Sequence, residues 1–170
     1  MNTLAVAALA ACALTAAVVP AAAKSKARVP ASACPSVSIL PDAMRITQLK
    51  AGRIDLKAEI RDPAIACSVV GGKAKSKLSF WVKSAISPMS DVSLRNVPYF
   101  VAIIVDGQVI GKEVFNLPLA FGADRKLLVK EKVARIDIPV DTARNAEDYS
   151  VTIGFQLTPE QAEYNRTASR

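Results

Sequence analysis

The residues of this chain whose types and spacing could do chemistry are a run of lysines, a single tryptophan and three cysteines. Lys73 to Lys83 reads K-A-K-S-K-L-S-F-W-V-K. Side chains of a strand alternate between faces, so Lys73, Lys75, Lys77, Ser79, Trp81 and Lys83 share one side, and Ala74, Ser76, Leu78, Phe80 and Val82 the other. The second side is a core face. The first places a row of ammonium groups beside a flat, amphipathic ring, a pairing that suits an anionic glycan, a lipid headgroup or single-stranded nucleic acid. A purely structural reading competes: the lysines guard an edge strand against edge-to-edge pairing, and a bulge turns Trp81 into the core.

Histidine is absent from the sequence. With it go the commonest general base, the commonest zinc ligand and every Ser-His or Cys-His nucleophile system. No S-x-x-K run and no local carboxylate cluster replaces it. Gly107, Gly111 and Lys112 are a near miss to a phosphate loop, with the wrong spacing and no Ser or Thr after the lysine. No catalytic residue, metal or cofactor is therefore expected. The formal net charge of +7 lies wholly beyond Ala23, because residues 1–23 carry no charged side chain. A basic protein favours anionic neighbours.

Two of the cysteines, Cys34 and Cys67, fall in the body of the chain, and the third, Cys12, lies in an apolar leader. Residues 4–19 are apolar, and Pro20 with Ala21 to Ala23 forms a small-residue cleavage pattern, as in a secretory signal peptide covering residues 1–23. Leu9-Ala10-Ala11-Cys12 also fits the bacterial lipobox, in which Cys12 would be lipidated and become the new N-terminus. Both readings export the protein, to the periplasm or to a membrane anchored through Cys12. Neither leaves a transmembrane segment in the mature chain. Cys34 and Cys67 then meet an oxidising compartment and are expected to pair, closing a loop that stabilises the fold by about 3–4 kcal/mol on the chain-entropy model.

The elements that must position these residues read as β. Val97 to Leu117 is two apolar runs joined by Asp106-Gly107, the signature of a hairpin with a type I′ turn. Its first strand is apolar on both sides, as if one of them met a partner. Ile54, Leu56, Ala58 and Ile60 alternate with charged residues, and Tyr149 to Leu157 alternates in the same way, with Gly154 on the outward side. Between Lys126 and Val140 the alternation changes phase, which predicts two short strands or a bulge near Glu131 to Ala134. Thr158-Pro159-Glu160-Gln161 is a capping box opening a short helix. We expect a flexible basic lead-in over residues 24–33 and one domain over residues 34–166: an all-β, immunoglobulin-like or fibronectin-III-like antiparallel sandwich of seven or eight strands with a C-terminal helix.

Three stretches, C-P-S-V-S-I-L-P-D-A-M-R-I-T from Cys34, Y-F-V-A-I-I-V-D-G from Tyr99 and G-F-Q-L-T-P-E-Q-A-E-Y-N-R from Gly154, resemble a family of small exported, lipoprotein-like bacterial proteins of unassigned function. The resemblance implies compartment and domain extent, and no site residues. The expected function is a non-catalytic cell-envelope module that docks another envelope protein. The alternative is an anionic-ligand or membrane-surface binding domain, for an anionic glycan or lipid headgroups, using Lys73, Lys75, Lys77, Trp81 and Lys83. Nucleic acid is not an expected partner.

Overall fold

Three pairs of consecutive residues with positive φ turn the chain back on itself. Ala51-Gly52, Gly71-Gly72 and Asp106-Gly107 all occupy the left-handed region, as a two-residue type I′ turn requires. Each joins strands that pair directly across it, Lys50 with Arg53, Val70 with Lys73 and Val105 with Gln108. The structure is a computed structural model and describes residues 34–140 and 144–168. The proposed leader, Cys12 and the basic lead-in lie outside the described residues.

The strands are β1 (Ser36–Ile39), β2 (Arg45–Lys50), β3 (Arg53–Val70), β4 (Lys73–Ile86), β5 (Leu94–Val105), β6 (Gln108–Ala120), β7 (Lys126–Pro139) and β8 (Tyr149–Phe155), followed by helix α1 (Pro159–Ala168). They make two four-stranded sheets in the orders β1-β8-β5-β6 and β2-β3-β4-β7, packed face to face. The eight-stranded sandwich with a C-terminal helix agrees with the sequence. The wholly antiparallel expectation needs one correction, because β1 runs parallel to β8. Parallel neighbours need a long connection, and here the rest of the domain lies between them. The direction of β1 is fixed at both ends: Cys34 at its head is bonded to Cys67 of β3, and the 3-10 turn Pro41–Ala43 at its foot delivers the chain to β2 in the other sheet. The bridge thus ties one sheet to the other, and such bridges persist where thiols are oxidised.

Alternation supplies the core. Leu56, Ile60, Leu78, Phe80 and Val82 from one sheet face Val97, Tyr99, Ile153 and Phe155 from the other, all fully buried. Burying a large apolar side chain contributes about 1.5–3 kcal/mol, so such a layer holds the sheets together without a ligand. Phe80 meets Tyr99 edge to face at 5.2 Å.

Of the four register shifts in the described ladders, two lie on the strands beside β4. On β3 the ladder jumps from Arg61 to Ala64, where Asp62 has positive φ and Pro63 has no N–H to donate. On β7 the partners of Ser76 and Leu78 are Ile136 and Val133, so Ala134 and Arg135 together stand opposite Lys77. The phase change read from the sequence is therefore a bulge in one continuous strand, not two strands. The doubly apolar β5 is also accounted for within the fold: Phe100 and Ala102, on its outer side, are covered by Ala43 with Leu157 packed against them.

Candidate functional site

The alternation predicted for Lys73 to Lys83 is the one observed. Ala74, Ser76, Leu78, Phe80 and Val82 are buried, while Lys73, Lys75, Lys77 and Lys83 are exposed and Trp81 is half-buried on the same outer side. The structure overturns the competing account of these residues. β4 is an interior strand with β3 on one side and β7 on the other, so its lysines guard no edge, and no bulge carries Trp81 inward.

What sequence reading missed is what the flanking strands bring to this face. Arg61 of β3 and Lys130 of β7 stand directly across from Trp81 on either side. Neighbouring strands are about 4.8 Å apart and same-face residues along a strand about 6.6–6.8 Å apart. The positions around the indole on this face hold four cations, Arg61, Lys83, Lys130 and Lys132, together with Glu59, Ala64, Ser79 and Leu128. The Lys130 ammonium lies 5.6 Å from the centre of the Trp81 ring. Lys132 is level with Ser79, and Lys57 and Lys126 flank Ala85. The carboxylates in the same rows are Glu59, level with Lys83, and Asp137, level with Lys75. Glu59 is shared between Arg45 at 3.9 Å and Arg61 at 4.0 Å. A signal for Lys130 and Lys132 existed: they are the polar partners of Leu127 and Val129 in their own alternation. That they lie beside Trp81 is a matter of register, which local sequence does not carry.

An open groove of about 1130 Å³ runs over this face, from Trp81, Lys83 and Leu128 to Arg45 on β2 and Tyr164 on α1. The helix that closes it is placed by local chemistry. The Thr158 hydroxyl accepts the Gln161 backbone N–H at 3.3 Å and the Gln161 side chain accepts the Thr158 N–H at 2.9 Å, the capping box read from the sequence. The Asn165 amide then donates to the carbonyls of Asp42 at 3.2 Å and Arg45 at 2.8 Å, which binds α1 to the rim. A smaller hollow of about 440 Å³ lies farther along β4, between Lys75, Lys77, Arg135 and Asp137.

Other polar groups of the fold serve its architecture. Arg95 donates to Asp55 at 2.6 Å and to Ser90 at 2.7 Å, and Arg125 donates to the carbonyls of Ser87 and Ser90. Together they fasten the connection between β4 and β5. The Tyr99 hydroxyl donates to Glu131 at 2.8 Å across the two sheets. Burial, and then the Glu131 carboxylate beside it, push the Tyr99 phenol well above its ordinary value. Among the described residues no group of three or more His, Cys, Asp or Glu could hold a metal ion, and no helix is long and apolar enough to cross a membrane. Compared with family models, with curated proteins and with solved structures, the chain finds no match.

Proposed function

We propose that this protein is a non-catalytic binding module of the cell envelope that holds an anionic partner on the outer face of the β2-β3-β4-β7 sheet. The observation that carries the reading is the spread of cations over three adjoining strands, with Arg61, Trp81 and Lys130 abreast at the centre. Cations this close, Lys75 and Lys77 along β4 and Arg61 and Lys130 across Trp81, repel one another. A partner that neutralises them binds with a favourable, salt-sensitive free energy. Export, through a leader ending at Ala23 or through a lipidated Cys12, belongs to the same proposal, and the Cys34–Cys67 bridge supports it. The motif resemblance to exported, lipoprotein-like proteins and the immunoglobulin-like identity of the sandwich are likewise parts of the proposal. Two packed four-stranded sheets support the latter.

Retention on immobilised heparin tests the reading. The wild-type protein should elute only at elevated salt. Replacing Lys75, Lys77 and Lys83 together with glutamine should move elution to markedly lower salt and leave the melting temperature nearly unchanged, as expected of solvated surface positions. Elution of the triple variant at the wild-type salt concentration would overturn it.

A second reading, docking of another envelope protein, is favoured by one specific feature. Val109, Ile110 and Val114 on β6, near the hairpin tip, are 60%, 50% and 51% exposed, an apolar patch suited to a protein partner. Crosslinking in envelope extract separates the two: this reading requires an adduct that Val109→Ser with Ile110→Ser abolishes and the lysine variant retains.

A further inference from the structure

We infer that the groove between Trp81 and Tyr164 is built for an acidic polysaccharide, a chain of sugar rings bearing carboxylate or sulfate groups. This rests on the anionic-partner reading above and names the partner's chemistry. Three features of the groove select it. The first is the mixture of charges in the lining, where Glu59, Asp42 and Asp124 stand among Arg45, Lys57 and Lys83. The phosphodiester of a bilayer surface or a nucleic acid backbone has no donor to offer those carboxylates. A sugar acid uses both signs, because its acid group pairs with a lysine or arginine while its hydroxyls donate to the carboxylates.

The second feature is shape. Trp81 lies half-buried on an interior strand with α1 standing at the rim, so the indole is recessed where insertion into a bilayer would need it to protrude. A recessed ring offers a flat apolar floor to the C–H face of a pyranose, and the Lys130 ammonium, held over the ring 5.6 Å from its centre by a weak contact, can exchange that contact for the acid group of the sugar. The third is size. At about 1130 Å³ the groove exceeds the range of about 300–1000 Å³ usual for small-molecule sites. Farther along the same face comes the second hollow, at Lys75, Lys77 and Arg135. An oligomer running along β4 from Trp81 toward Lys75 would engage both.

The test compares three probes on the same protein by calorimetry at about 150 mM salt, where long-range attraction is largely screened: an oligogalacturonate hexasaccharide, vesicles of phosphatidylglycerol, and single-stranded DNA. The inference requires the hexasaccharide to bind, Trp81→Ala to weaken it at least tenfold, and the same substitution to change vesicle and DNA binding less than twofold. Because the chain has one tryptophan, the unmodified protein gives a check that does not depend on how the variant folds: Trp81 emission must shift on adding the hexasaccharide. An unshifted emission, or equal effects of Trp81→Ala on all three probes, overturns the glycan groove and leaves a general polyanion face standing. Absence of binding to every probe overturns both readings together.

Discussion

Lys130 stands directly across the β4–β7 ladder from Trp81, with its ammonium 5.6 Å from the centre of the indole. A cation held over an exposed aromatic face gains only about 0.5–1 kcal/mol. The contact is therefore weak enough to be exchanged for an anion, and what it reveals is the positive potential in which the ring sits.

That potential has a direct optical consequence. Such a potential should concentrate anionic iodide around Trp81 and exclude caesium, so iodide should quench its fluorescence several times more efficiently than caesium at low salt. Lys130→Gln with Arg61→Gln should bring the two quenchers closer together, while neutral acrylamide is unaffected. Equal quenching by iodide and caesium in the unmodified protein would contradict the charge asymmetry.

Gly154 of β8 meets a different constraint. A Cβ built there would lie 2.7 Å from the Cβ of Ala43 and 3.0 Å from the Phe100 ring, because the 3-10 turn Pro41–Ala43 lies on this glycine. Gly154→Val should therefore cost at least about 1–3 kcal/mol through overpacking. Thr152→Val, two residues away on the same side, loses only the exposed 3.1 Å hydrogen bond with the Ser38 hydroxyl and should cost about 1 kcal/mol at most. Urea denaturation of the two variants decides it, and equal midpoints would remove the turn from its place on the sheet.

The same glycine shows where local sequence stops being informative. Alternation alone puts Gly154 on an outward face, and only the packing of Ala43, distant in sequence, makes that face an interior. The hairpin at Asp106-Gly107, the capping box at Thr158 and the two faces of β4 were legible because each depends on residues within a few positions of one another. The juxtaposition of Arg61, Trp81 and Lys130 was not. It depends on strand order, and on register that the bulges at Asp62-Pro63 and Ala134-Arg135 reset. The wrong alternative, an edge strand guarded by lysines, follows from the same blindness, since nothing within Lys73 to Lys83 says which strands lie beside it.

Tyr99 predicts a pH dependence of known sign. Its folded pKa lies above the ordinary value near 10, chiefly through burial and then through Glu131. Above about pH 10 the unfolded chain gives up this proton while the folded protein keeps it, so the contribution is complete below that pH and is lost as pH rises beyond it. Tyr99→Phe should cost about 1–2 kcal/mol at neutral pH, and the gap between variant and wild type should close at alkaline pH. A gap that stays constant from neutral pH to pH 11 would contradict the buried, carboxylate-bonded phenol.

The Cys34–Cys67 bridge spans a sequence separation of 33 and joins the edge strand of one sheet to the other sheet. Replacing both cysteines with serine should cost about 3–4 kcal/mol and loosen β1 before the rest of the sandwich. Hydrogen exchange that rises at Val37 and Ile39 ahead of the β3–β4 ladder is the expected pattern, and uniform exchange across both would contradict it.

The outer face of the β2-β3-β4-β7 sheet is where anions should bind. An NMR titration of the isotopically labelled protein with a heparin oligosaccharide tests this residue by residue. The largest shifts are expected at Arg61, the Trp81 indole N–H and Lys130, extending to Lys75 and Lys77 and fading as salt is raised. Shifts gathered instead at Val109, Ile110 and Val114, with the Trp81 indole unmoved, would contradict it and return the function to the hairpin.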